Sequence, residues 1–147
     1  MAFEALSRGA RFALLVDRER VVCSALRKSA RELDVLDETQ VLQADLFRGR
    51  SRALDRIAAA GPFELVFADP PYADAGSVVD LLEALWRRGV LAEGAFVVVE
   101  RPASRTLESI EGLALVAQYR YGDTTADLFT PAPPPARISS PKGGGMR

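Results

Sequence analysis

The stretch Phe63-Glu64-Leu65-Val66-Phe67-Ala68-Asp69-Pro70-Pro71-Tyr72 constrains this chain more than any other. Its first six residues predict a short strand buried on both faces, as in a parallel sheet. The strand must end at Asp69, because neither Pro70 nor Pro71 can donate to a ladder and each restricts the residue before it. A rigid loop therefore sits at a strand's carboxyl end, where open α/β sheets bind ligands. Asp-Pro-Pro-Tyr arises by chance in roughly one chain of this length in a thousand, so the loop outweighs any compositional signal.

The rest of the chain predicts the same kind of sheet. Residues 3–8 form the last turns of a helix closed by Gly9, and that helix has no capping residue ahead of it. A strand follows over Arg11 to Asp17. Val22, Leu26, Ser29 and Leu33 mark one face of a helix over 18–34. A second strand runs from Thr39 to Ala44, and Leu54, Ile57 and Ala58 mark a short helix ending at Gly61-Pro62. Beyond the opening stretch, Val78, Leu81, Leu82 and Leu85 give a helix over 76–88, with Trp86 on its apolar side or rim. Ala95 to Glu100 is a further strand. Leu113 to Tyr121 and Thr124 to Thr130 form an antiparallel hairpin about Gly122-Asp123. The segment 103–112 shows no clear pattern. The reading is one α/β domain over 1–130 and a disordered Pro/Gly-rich tail over 131–147.

Composition limits the chemistry. The 147 residues contain no histidine and one cysteine, Cys23, so the usual metal ligand and the usual general base are both missing. Cys23 lies in a helical pattern and reads as a small buried hydrophobe. No apolar run reaches the roughly 18 residues of a membrane span, and no signal-peptide pattern opens the chain. The expectation is a cytoplasmic monomer without metal or membrane. The net charge of −1 does not advertise a nucleic-acid partner. Arg48, Arg50, Arg52 and Arg56 crowd one region and could contact phosphates, as could Arg87, Arg88 and Arg101, but solvated helix faces account for them at least as well.

Three consecutive strands end on Asp17, Asp45 and Asp69, and all three acids should face one edge of the sheet. Strand-end Asp residues are common turn formers. In register, however, they suit a nucleotide crevice: one acid accepts from ribose hydroxyls and another from an adenine amine. The Asp69 carboxylate and Pro70 carbonyl suit the two N–H bonds of an exocyclic base amine, favouring a pyramidal nitrogen whose lone pair points outward. Pro70 and Pro71 hold those acceptors in place, and Tyr72 can stack on a base that has left its helix. The chemistry these residues fit is methyl transfer to such an amine.

The chain resembles the S-adenosylmethionine-dependent RsmD family, bacterial enzymes that methylate the N2 amine of a guanine in small-subunit ribosomal RNA. The resemblance rests on Glu4-Ala-Leu-Ser-Arg-Gly9, Leu15-Val16-Asp17-Arg18, Gln43-Ala44-Asp45, Phe67 to Tyr72, Gly89-Val90-Leu91, Val98-Val99-Glu100 and Tyr121-Gly122-Asp123-Thr124. These segments run in family order through nearly all of 3–130. The Asp-Pro-Pro-Tyr loop alone is shared with DNA adenine-N6 and protein glutamine methyltransferases, while the first and last segments narrow it to this family. The resemblance implies a Rossmann-like class I methyltransferase sheet, S-adenosylmethionine as cofactor and ribosomal RNA of the small subunit as partner. By position, Asp17 with Arg18 would bind the donor's ribose, Asp45 with Leu46 its adenine, and Asp69, Pro70, Pro71 and Tyr72 the target guanine, with Asp69 also bordering the donor.

In one respect the chain departs from that family. The family's first strand and its glycine-rich loop precede the Glu-Ala-Leu-Ser-Arg-Gly helix, and no such segment occurs here; nor does the RNA-facing N-terminal extension. The expectation is a sheet truncated at its N-terminus, the C-terminal two-thirds of such an enzyme, with Met1 an internal start or a true truncation. Little or no activity is expected of the 147-residue chain as it stands, and two alternatives follow: an inactive fragment without donor binding, or a DNA adenine-N6 methyltransferase.

Overall fold

In the computed structural model, which describes residues 1–71 and 75–133, strands and helices alternate along most of the chain. The order is α1 (Ala2–Ser7), β1 (Ala13–Asp17), α2 (Arg20–Glu32), β2 (Thr39–Gln43), α3 (Ser51–Ala60), β3 (Phe63–Ala68), α4 (Ala75–Arg87), β4 (Leu91–Pro102), β5 (Leu113–Tyr121) and β6 (Thr124–Pro131). Each element matches a stretch expected from periodicity, with ends moved by a few residues. The largest change is β4, which begins at Leu91 rather than Ala95. Its partner register with β3 jumps there, from Phe63↔Leu91 to Leu65↔Phe96, and Gly94 takes the positive φ of 72° that the irregularity requires. The tail from 134 onward lies outside the described residues.

The strands form two sheets. β1 and β2 pair in parallel, and β3-β4-β6-β5 form a mixed sheet with β3 parallel to β4 and the last three strands antiparallel. No ladder joins β1 to β3. One apolar cluster nevertheless spans both sheets: Leu54 and Ile57 of α3 and Val78, Leu81, Leu82 and Leu85 of α4 bury against Leu42, Val97, Val99 and Phe129, with Leu14, Val16 and Val66 packed alongside. α1 and α2 instead lie against β1 and β2, so strand alternation puts the two helix pairs on opposite faces.

Two expectations of burial need correction. β3 is not buried on both faces: Val66 and Ala68 reach the core, but Leu65 and Phe67 are 43% and 40% exposed on the other face. The face of α2 is also narrower than expected. Cys23 and Ala30 are its buried positions, whereas Val22 and Leu33 are exposed. Cys23 itself is fully buried, with its thiol directed at the Asp17 carbonyl 3.4 Å away.

Trp86 sits at the rim, half-buried, and fixes a close approach. Gly112 has φ of +82°, and a Cβ there would lie 2.0 Å from the Trp86 ring. The segment before it, which showed no pattern in the sequence, runs as an irregular connection whose Ile110 is buried in the core.

Candidate active site

A cavity of about 1270 Å³ opens between β1 and β3, and Asp17, Asp45 and Asp69 all line it. The topology thus brings together the three acids that the sequence placed at strand ends. They arrive from successive strand–loop units: Asp17 ends β1, Asp45 stands two residues after β2, and Asp69 follows β3 directly. Arg18, Leu46, Pro70 and Pro71 line the same cavity. Tyr72 lies outside the described residues.

The loops after β1 and β2 are held by the acids themselves. Asp17 Oδ1 accepts the Glu19 N–H at 2.8 Å. Asp45 Oδ1 accepts the N–H of Phe47 at 2.8 Å and of Arg48 at 3.1 Å. These are the side-chain turns that make Asp common at such positions, so the turn-former account is correct for both. It does not use up the carboxylates: among the described residues, only Oδ1 of each is engaged in a hydrogen bond. One oxygen shapes the loop and orients the group, and the other remains as an acceptor at the cavity wall. The Arg18 carbonyl accepts from the Gln43 side chain at 3.3 Å, tying the ends of β1 and β2 together.

Asp69 is exposed, and among the described residues its side chain has no hydrogen-bond or ion-pair partner, so the prolines that follow set its position. Behind it, Pro70 and Pro71 face Val78, Val99, Glu100, Arg105 and Leu107 across a gap of only about 20 Å³, room for about one water. The irregular segment 103–112 therefore contributes Arg105 and Leu107 to the wall that backs this loop. Sequence reasoning missed them because irregular structure carries no period.

The arginines divide. Arg87 bonds Glu111 at 2.5 Å, which raises its pKa above the ordinary guanidinium value, and Arg88 pairs with Asp55. Arg101 is neither a phosphate-binding group nor part of a solvated face. It forms a 2.5 Å ion pair with Asp127, which is 1% exposed and also accepts from Gln118 at 2.7 Å. None of the ion pairs among the described residues uses Arg48, Arg50, Arg52 or Arg56.

A donor with a ribose and an adenine finds acceptors of the right chemistry in the carboxylates of Asp17 and Asp45. The strand order, the helices on both faces and the cavity at the strand ends define a Rossmann-like class I methyltransferase fold, the class whose cofactor is S-adenosylmethionine. A solved structure of a conserved hypothetical protein from Streptococcus pyogenes superposes with a TM-score of 0.77 at 29% identity, covering 89% of this chain and 78% of that one. The structure named Putative methyltransferase yhhF from Escherichia coli gives a TM-score of 0.74 at 26% identity, covering 89% and 70%. The chain belongs to the family described as Conserved hypothetical protein 95, whose model matches residues 1–130. It is also 27% identical over 130 residues to a Bacillus subtilis (strain 168) protein named Putative rRNA methyltransferase YlbH, covering 88% of this chain and 68% of that protein. No helix among the described residues is long and apolar enough to cross a membrane.

Proposed function

We propose that this site transfers a methyl group from S-adenosylmethionine to the exocyclic N2 amine of a guanine in small-subunit ribosomal RNA. The observation that carries the reading is the convergence of Asp17, Asp45 and the Asp69-Pro70-Pro71 loop on one cavity. Asp17, with Arg18 beside it, would hold the donor's ribose, and Asp45, with Leu46, its adenine. The donor supplies a methyl on a positively charged sulfur, which leaves as a neutral thioether. Asp69 and the Pro70 carbonyl would accept the two N–H bonds of the target amine, so that its lone pair faces the methyl. The base amine is the nucleophile, the methyl–sulfur bond breaks as the nitrogen–methyl bond forms, and the extra proton leaves the nitrogen towards Asp69 or solvent. Backing of Pro70 and Pro71 by Val78, Val99 and Leu107 fixes these acceptors before reaction. The choice of ribosomal RNA rests on the Bacillus relative's name and on the segments shared with the RsmD family. Arg48, Arg50, Arg52 and Arg56, in the loop after Asp45 and in α3 and in none of the ion pairs among the described residues, suit phosphate contacts.

A second reading has its own support. With no strand pairing the facing edges of β1 and β3, the 147-residue chain by itself is a weak donor binder with little or no activity. One experiment addresses both. The purified chain in excess is incubated with labelled donor and, separately, small subunits from a strain lacking the modification, naked ribosomal RNA and DNA; the products are digested to nucleosides. N2-methylguanosine from ribosomal RNA is the product that the first reading expects. Methyladenine in DNA would overturn the substrate assignment. Label in none of them, with no donor binding by calorimetry, would establish the inactive chain.

A further inference from the structure

We propose that Arg101 is a positioning residue for the Asp69-Pro70-Pro71 loop: its guanidinium, oriented by Asp127, fastens the 103–107 segment that stands behind the two prolines. What the loop does is taken from the proposed function, on which this assignment rests; what holds the loop follows from bonds within the chain. Arg101 and Asp127 come from neighbouring antiparallel strands, in which Val99 pairs with Asp127 and Arg101 with Thr125. Their side chains are only 12% and 2% exposed. Arg101 Nε donates to Asp127 Oδ2 at 2.5 Å and Nη2 to Oδ1 at 3.1 Å, a two-pronged contact that fixes the guanidinium plane. Gln118 of β5 donates to the same Oδ1 at 2.7 Å, so the carboxylate is itself held. The third nitrogen, Nη1, is thereby aimed beyond the end of β4. There it donates to the carbonyls of Pro102, at 3.4 Å, and of Arg105.

Burying an ion pair gains little over an apolar pair of the same volume, so cohesion of the strands does not by itself call for a guanidinium here. An apolar pair could not supply the outward N–H groups. The segment 103–107 forms neither helix nor strand, so its place depends on single bonds. The Ala103 N–H donates to the Asp123 carbonyl of the β5–β6 turn at 2.7 Å, and the Arg105 N–H to the Pro102 carbonyl at 3.0 Å. Arg101 takes hold of the Arg105 carbonyl, on the far side of that turn. Two residues further on is Leu107, and Arg105 and Leu107 border the gap of about 20 Å³ behind Pro70 and Pro71. With so little free space, the prolines can retreat only if this segment moves. A shift of about 1 Å in the acceptors of a target amine is enough to slow transfer by up to about 100-fold. Asp17 and Asp45 take no part in these bonds, so donor binding should not respond.

The test uses Arg101→Lys, which keeps a positive charge opposite Asp127 and loses the fork. In the 15N-labelled chain, exchange of the Arg105 amide should quicken about fivefold or more, and the Asp69 amide resonance should shift; exchange at Val97 and Val99 should stay within about twofold of wild type. In the transfer assay, kcat should fall about tenfold, with KM for RNA and donor affinity within about twofold. Unchanged Arg105 and Asp69 signals would overturn the proposal. So would equal acceleration throughout β4 and β6, which would reduce the pair to a tie between strands, or altered signals with an unaltered kcat. Leu107→Ala tests the last link: the Asp69 resonance should shift while Arg105 exchange stays as it was, and no shift would also overturn the proposal. If Arg101→Lys does not fold, Asp127→Asn replaces it. That change leaves one acceptor for the guanidinium and lets it turn, so Arg105 exchange should quicken about threefold, and no change in a folded chain would count against Arg101. The amide measurements need neither donor nor RNA. A wild-type chain that transfers nothing would therefore sink the proposed function, while the amides still decide what holds the loop.

Discussion

Asp45 shows how much one side chain is asked to do. Its Oδ1 closes the turn after β2 through two N–H bonds, and the proposed function gives its remaining oxygen to an adenine amine. The two tasks separate by substitution. Asp45→Asn keeps an acceptor for the turn, whereas Asp45→Ala removes it and should cost about 1 kcal/mol of stability. Urea denaturation should therefore rank Asn close to wild type and Ala below it; equal stabilities would mean the turn bonds contribute nothing. Asp69 has no turn to hold, so Asp69→Ala should leave the melting temperature unchanged while lowering methyl transfer about 100-fold or more. Donor affinity by calorimetry should stay within about twofold, and loss of transfer through loss of donor would move Asp69 out of the acceptor role. At Gly112 the prediction is steric. Gly112→Ala forces a Cβ into the Trp86 ring at an unfavourable φ, and thermal melting should show a loss of about 2–4 kcal/mol. A combined Gly112→Ala, Trp86→Ala chain should lose less than the two single changes added together.

At the scale of elements, periodicity carried most of the fold. Val78, Leu81, Leu82 and Leu85 mark α4 in the sequence and are all buried; the hairpin about Gly122-Asp123 joins β5 and β6 as expected. What periodicity could not show is which face finds a partner. Leu65 and Phe67 have the composition of a doubly buried strand, and only the tertiary arrangement reveals that one side is open. Arg101 illustrates the same limit. In the sequence it is one more exposed-type cation, because its partner Asp127 is 26 residues away. The pair ties β4 to β6, and Gln118 extends it to β5. Asp127→Ala leaves a largely buried guanidinium without its counter-charge, which costs about 3–5 kcal/mol. Chemical denaturation should show that loss, and a change below about 1 kcal/mol would mean the guanidinium finds water instead.

For the molecule as a whole, the alternation of strands and helices and the row of acids were legible because both are local patterns repeated three times. The convergence of the acids was legible too, since right-handed parallel units place all strand ends at one edge. The contributions of Arg105 and Leu107 to the wall behind Pro70 were not, because irregular segments are positioned by contacts distant in sequence.

The division of the strands into a pair and a set of four has one more consequence. An open sheet has two edges, but two separate sheets have four: β2 and β5 on the outside, β1 and β3 on the cleft. Edges are where chains join one another unintentionally, and here two of them lie beside half-exposed Leu65 and Phe67. The same separation that opens the cavity lined by the three acids leaves two strand edges beside it open to chance pairing, so the site and the tendency to self-associate share one place.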